Sequence, residues 1–230
     1  MENSYTTEFG RRFDILEQSK EMEIYRNLQA LQASFSIFSG NFYELVQALA
    51  PLQDSQKSLP LCNYSSRENL ESLLDQTSRL FHNFLASAFS SIDHTRVIIK
   101  KLYSETVFKD EYQTKLEQDI ISQPIHGFIK RLRNYVQHNT LPILDLKITF
   151  ANGDLDFSVK MDVKILKEWK DWCSAESYLD ILGDSYCIGT LASEYFNLIE
   201  QFYIWLTQRQ QSIHQSDIKK LQKMHQDLNS

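Results

Sequence analysis

The chain reads as a mainly α protein, a long-helix bundle carrying one inserted β-hairpin. Three observations predict this. Apolar residues recur in alternating steps of four and three over most of the chain, which keeps one stripe on one side of a helix. Only six glycines and four prolines interrupt 230 residues, so neither a flexible linker nor a low-complexity tract divides it. Two period-two runs flank Asn152-Gly153, the strongest short-range hairpin signal. With 42% hydrophobic side chains, residues 1–230 form one domain with a substantial core.

Taken in order, residues 1–12 are polar and are expected to be flexible. The first long helix follows the stripe Ile24, Leu28, Leu31, Phe35, Phe38, Phe42, Leu45 and Leu49. Burying eight such side chains is worth about 12 to 24 kcal/mol gross, most of it cancelled by ordering entropy, so the stripe needs partner helices. Gly40 interrupts it at about 1 kcal/mol relative to alanine, which suggests a kink or a close approach by a neighbour. Residues 51–64, with two prolines, read as a loop. A second long helix starts near Ser66 and turns Leu70, Leu73, Leu80, Phe84, Ala88, Ile92, Ile99 and Leu102 inward. A shorter segment repeats at Phe108, Tyr112, Leu116 and Ile120. The next helix opens at Pro124, whose missing N–H costs nothing at the first helical position, and ends near Asn139 ahead of Pro142.

The hairpin insertion spans 143–162. Leu144, Leu146, Ile148 and Phe150 alternate with polar residues, as do Leu155, Phe157, Val159 and Met161 beyond the turn. Two strands alone are marginal in water, so their apolar face must lie on the bundle. A short helix follows Asp162. One last long helix is expected from Ser174 to about Gln211, and residues 213–230 form a polar C-terminal helix or tail.

Composition narrows the function classes. A formal net charge of -6 argues against coating nucleic acid through bulk electrostatics, though not against a local basic patch. No window approaches eighteen uninterrupted apolar residues and the first dozen lack a signal-type apolar core, so a cytoplasmic protein without membrane association is expected. Cys62, Cys173 and Cys187 are odd in number and widely spaced, which fits free thiols in a reducing compartment. HExxH, phosphate-cradling glycine loops and GxSxG are missing from the sequence, and no cofactor or metal is expected.

The informative segment is Pro124 to Pro142. It carries Lys130, Arg131, Arg133, Asn134 and His138 and no acidic residue. At about 100° per residue Asn134 and His138 lie one above the other, while Arg133 and His138 sit about 140° apart around the axis. One helix does not focus them on one point; a second copy across a two-fold axis would bring both pairs to a shared cleft.

Arg133-Asn134-Tyr135-Val136-Gln137-His138 resembles the signature of the HEPN superfamily, an arginine followed after four to six residues by histidine, with a polar residue directly after the arginine. HEPN domains are helical bundles with the motif on a late helix, commonly homodimers with the site at the interface, and the resemblance extends loosely over Leu70 to Arg209. It implies a metal-independent endoribonuclease, in a bacterial toxin–antitoxin or phage-defence setting. On that resemblance His138 is the acid or base, Arg133 stabilises the phosphorane and Asn134 orients phosphate or histidine. Lys130 and Arg131 hold RNA, and the products carry 2′,3′-cyclic phosphate and 5′-hydroxyl ends. The residue types suit this chemistry, since imidazole exchanges protons near neutrality and guanidinium offers a planar fork to phosphate. The implied partners are RNA, a second copy of the chain, and an antitoxin or regulatory protein.

The spacing alone is weak, because Arg131 to His138 and Arg209 to His214 also satisfy it. Arg133 is preferred because Asn134 follows it on a short basic helix. Asp93, His94 and Arg96 read either as a polar cluster facing the motif helix and completing its site or as the solvent face of the second helix, the latter preferred, and the aromatic run from Tyr195 to Leu206 reads as core or dimer interface in preference to a base-stacking platform. A non-catalytic helical module that binds RNA or protein is the alternative, and a structural scaffold is a third reading.

Overall fold

The computed structural model describes residues 7–151 and 154–228. The Asn152-Gly153 turn and residues 1–6 lie outside the described residues.

Helix α1 (Glu8–Glu17) is capped by Thr7, whose hydroxyl accepts from the Gly10 N–H at 3.2 Å. Residues 8–12, expected to be flexible, are therefore its opening turns, and Leu16 anchors it by burial. Ser19 caps α2 (Lys20–Leu49) in the same way, accepting from the Met22 N–H at 3.1 Å. Of the predicted stripe, Ile24, Leu31, Phe38, Phe42 and Leu45 are buried. At Gly40 the space around an added Cβ is open, so no neighbour approaches closely there.

Short helical turns, including α3 (Ser55–Ser58), carry the chain into α4 (Arg67–Tyr103). Glu23 pairs with Lys101 at 3.0 Å, and Ser34 meets His94 at 2.8 Å, so α2 and α4 run antiparallel. Helix α5 (Val107–Leu116) ends in a wide turn in which the Ser122 N–H donates to the Glu117 carbonyl, an i to i+5 bond. It leads to α6 (Pro124–His138), with proline at its first position as expected.

The hairpin forms as β1 (Leu144–Ala151) and β2 (Asp154–Asp162), paired antiparallel from Leu144 opposite Met161 to Ala151 opposite Asp154. Asp162 then caps α7 (Val163–Leu166).

The long helix expected from Ser174 to Gln211 is not continuous. It is divided into α8 (Glu176–Ile181), a three-residue strand β3 (Ser185–Cys187) and α9 (Ile188–Ile213). Gly183 causes the break by adopting φ +72°, a left-handed conformation that ends α8 without a Cβ penalty. β3 pairs with β2, making an antiparallel sheet in the order β1-β2-β3.

The polar C-terminal segment is α10 (Gln215–Leu228), and it is docked: Leu221 joins Leu16 and Met22 in a small cluster apart from the main core. The main core lies where α2, α4, α6 and α9 meet over the apolar face of the sheet. Aromatic rings dominate it. Phe42 stacks on Phe196 with centroids 4.0 Å apart, and Phe35 on Tyr203 at 4.4 Å. Tyr195, Phe196, Phe202 and Tyr203 are buried, as expected of the aromatic run. Among the described residues no helix is long and apolar enough to cross a membrane.

Candidate functional site

Helix α6 divides around its axis into a buried arc and an exposed one. Phe128, Ile129, Leu132 and Tyr135 are fully or almost fully buried and clamp the helix to the core. Phe128 and Tyr135 stack on Trp172, whose indole N–H donates to the Leu166 carbonyl at 2.7 Å. The opposite arc carries exposed Lys130 and His138 and half-buried Arg131 and Asn134.

His138 is the last residue of α6, exposed. Arg133 sits at the margin of the exposed arc, where α6 meets α4. Its guanidinium lies over the Phe89 ring, 5.8 Å from the centroid, and its Nε is buried without a hydrogen-bond partner among the described residues. One terminal nitrogen makes a long contact of 3.4 Å to the Asn134 side-chain oxygen. A rise of about 1.5 Å and a turn of about 100° per residue leave Arg133 and His138 on different sides of the helix within one copy. Arg133 and Asn134 are brought together; Arg133 and His138 are not.

Sequence reasoning passed over the groups behind Arg133. His126, two turns earlier on the same face, is buried and its Nδ1 lies 3.1 Å from the Tyr195 hydroxyl of α9. Burial pushes His126 down to about 4, helped by the nearby cations Lys130 and Arg96. It is thus a neutral imidazole at neutral pH. The Tyr195 hydroxyl, enclosed by the core, is pushed well above the usual phenol range and stays protonated. A seven-residue step from His126 to Arg133 was the signal available, since it puts both on one helix face.

Arg209 forms a bidentate pair with Glu111 at 2.6 and 2.7 Å, which holds the Glu111 carboxyl below its ordinary range. His214 is buried, with Nε2 2.9 Å from the Tyr103 hydroxyl and Nδ1 2.8 Å from an Asp217 oxygen. Asp93, His94 and Arg96 are exposed and Asp93 pairs with Arg96 at 3.1 Å, while His94 Nδ1 also reaches the Ser34 hydroxyl of α2 at 2.8 Å. Cys62 and Cys173 are exposed and Cys187 half-buried, all free thiols.

A groove of about 600 Å³ opens between the end of α2, β2 and the start of α9, with Lys160, Cys187, Thr190 and Glu194 on its walls. None of the α6 residues lines it. Among the described residues no group of three or more His, Cys, Asp or Glu side chains is placed to hold a metal ion.

Comparison with known proteins gives no match: no family model fits the sequence, and neither a curated protein nor a solved structure is significantly similar to it.

Proposed function

We propose that the exposed arc of α6 engages RNA and that the protein is a metal-independent endoribonuclease of the HEPN type, acting as a homodimer. The observation that carries this reading is the charge distribution. On a chain of net charge -6, α6 displays Lys130, Arg131, Arg133 and His138 and holds no acidic residue. These cations attract a phosphate chain, while the net negative charge of the protein resides on the rest of the chain. Because Arg133 and His138 diverge within one helix, the reaction draws His138 from one copy and Arg133 from the other across a two-fold axis. His138 takes the ribose 2′-hydroxyl proton as that oxygen bonds to the adjacent phosphorus, and the imidazolium so formed returns the proton to the 5′-oxygen as the P–O5′ bond breaks. Arg133 steadies the phosphorane, and Asn134 orients it. A bacterial toxin–antitoxin or phage-defence role, with an antitoxin as partner, belongs to this same proposal.

A second reading rests on how Arg133 is held. Its guanidinium is seated over Phe89 with Nε inside, an arrangement that serves a fixed basic surface as well as a reacting centre. In that reading α6 binds RNA or an acidic protein without cleaving.

The test is incubation of purified protein with mixed cellular RNA, with and without EDTA, for wild type and His138→Ala. Cleavage that persists in EDTA and disappears in the variant is expected. RNA bound by both forms and cut by neither would transfer the function to the second reading, and a protein that neither binds nor cuts would dismiss both.

A further inference from the structure

β1 is an edge strand: it pairs with β2 on one side and with no strand on the other among the described residues. The Asp162 N–H donates to the Ile143 carbonyl at 2.9 Å, so odd-numbered residues of this strand turn their backbone groups toward β2. Leu144, Leu146, Ile148 and Phe150 therefore turn their N–H and C=O groups outward. No backbone or side-chain hydrogen bond among the described residues reaches these outward groups. The side chains add apolar surface at the same place, Ile148 being 46% and Phe150 74% exposed. An edge of this length and composition is a template for another strand.

The charges on the strand say which strand fits. Asp145 and Lys147 are exposed on one face, with Lys147 Nζ 2.6 Å from an Asp145 oxygen. When β1 pairs antiparallel with a second β1 about a two-fold axis at Leu146, the outward backbone groups of Leu144, Leu146 and Ile148 meet those of Ile148, Leu146 and Leu144. Asp145 then falls opposite Lys147, and Lys147 opposite Asp145, at non-hydrogen-bonded positions where side chains are closest. Moving the axis by one residue to Asp145 or Lys147 sets like charges face to face. Moving it by two, to Ile148, sets Lys147 opposite Thr149. One register alone is charge-complementary.

We propose that β1 is a self-association surface, joining two copies into a continuous antiparallel sheet centred on Leu146. Lysine on an edge strand ordinarily deters such pairing; here each Lys147 is answered by Asp145 of the other copy. The contact is isologous, so taken by itself it closes after two copies. It uses no side chain of α6 and stands apart from the ribonuclease reading.

Sedimentation of the full chain in low salt tests it, using wild type, Asp145→Lys, Lys147→Asp and the double exchange, with circular dichroism to check the fold. Wild type should form a reversible dimer. Each single substitution creates two like-charge pairs and should weaken the dimer by about tenfold or more. The double exchange should restore it. A mixture of the two single variants should form a heterodimer, because the two lysines on the strand of one then face the two aspartates on the strand of the other. A monomeric wild type, a dimer indifferent to the single changes, or variants that fail to complement when mixed would each overturn the proposal.

Discussion

Two arginine–histidine pairs with the same spacing, Arg209 with His214 and Arg133 with His138, have opposite fates in the fold. At the first, both side chains are engaged by partners on other turns and helices. Arg209 grips Glu111 with two hydrogen bonds, and His214 is held in the core between Tyr103 and Asp217. At the second, His138 is exposed at a helix end and Arg133 keeps a buried Nε with no partner among the described residues. The spacing is identical; the neighbours decide. A histidine enclosed by a tyrosine and a carboxylate serves stability, whereas one standing at the end of a basic helix is open to a ligand.

The sharpest way to break this contrast is to remove each histidine. His214→Ala removes a partner of both the Tyr103 hydroxyl and the Asp217 carboxylate and opens a cavity, so it should cost about 2 to 4 kcal/mol in urea unfolding. His138→Ala should stay within about 0.5 kcal/mol of wild type. Equal losses at both sites would erase the distinction.

A smaller effect comes from His126 behind Arg133. Its folded value of about 4 lies below the ordinary 6.5, so the unfolded chain binds the extra proton first as pH falls. Its contribution is fully present above about pH 6.5 and is lost as pH drops toward 4. Wild type should lose about 2 kcal/mol from this residue between pH 7 and pH 5. His126→Gln should lack that component of the acid slope when denaturant midpoints are compared at the two pH values. An unchanged slope would show that His126 binds its proton equally well in the folded and unfolded chain.

The least change is expected at Arg133 itself. Arg133→Met keeps a long apolar stem over Phe89 and removes an unpartnered buried N–H, so stability should move by less than about 1 kcal/mol. RNA affinity, read by filter binding, should fall under the same substitution. A large stability loss would assign Arg133 to the core instead of to a ligand.

Much of the architecture was legible because it rests on periodicity. The stripe from Ile24 to Leu49, the proline-started α6 and the two strands around Asn152-Gly153 all express local rules that hold before any tertiary contact forms. What escaped was decided by partners distant in sequence. β3 has three residues, too few to show alternation, and exists because β2 offers it an edge. Gly183, following Leu182, was the one local sign that the helix stops there. At N-terminal α1, Thr7 as a cap with Phe9, Phe13 and Leu16 at helical spacing was readable but lay within a stretch judged by its polarity. The angular separation of Arg133 and His138 followed from helix geometry alone. The Phe89 seat and the His126–Tyr195 bond did not, since nothing in α6 announces which rings α4 and α9 will set against it.

The small cluster of Leu16, Met22 and Leu221 gives the molecule two cooperative layers of unequal strength. Few apolar side chains bind α10 to α1 and α2, whereas α4 is embedded in the aromatic core. Sub-global opening will therefore begin at α10, whose amides exchange with solvent while those of α4 remain protected until the whole chain unfolds.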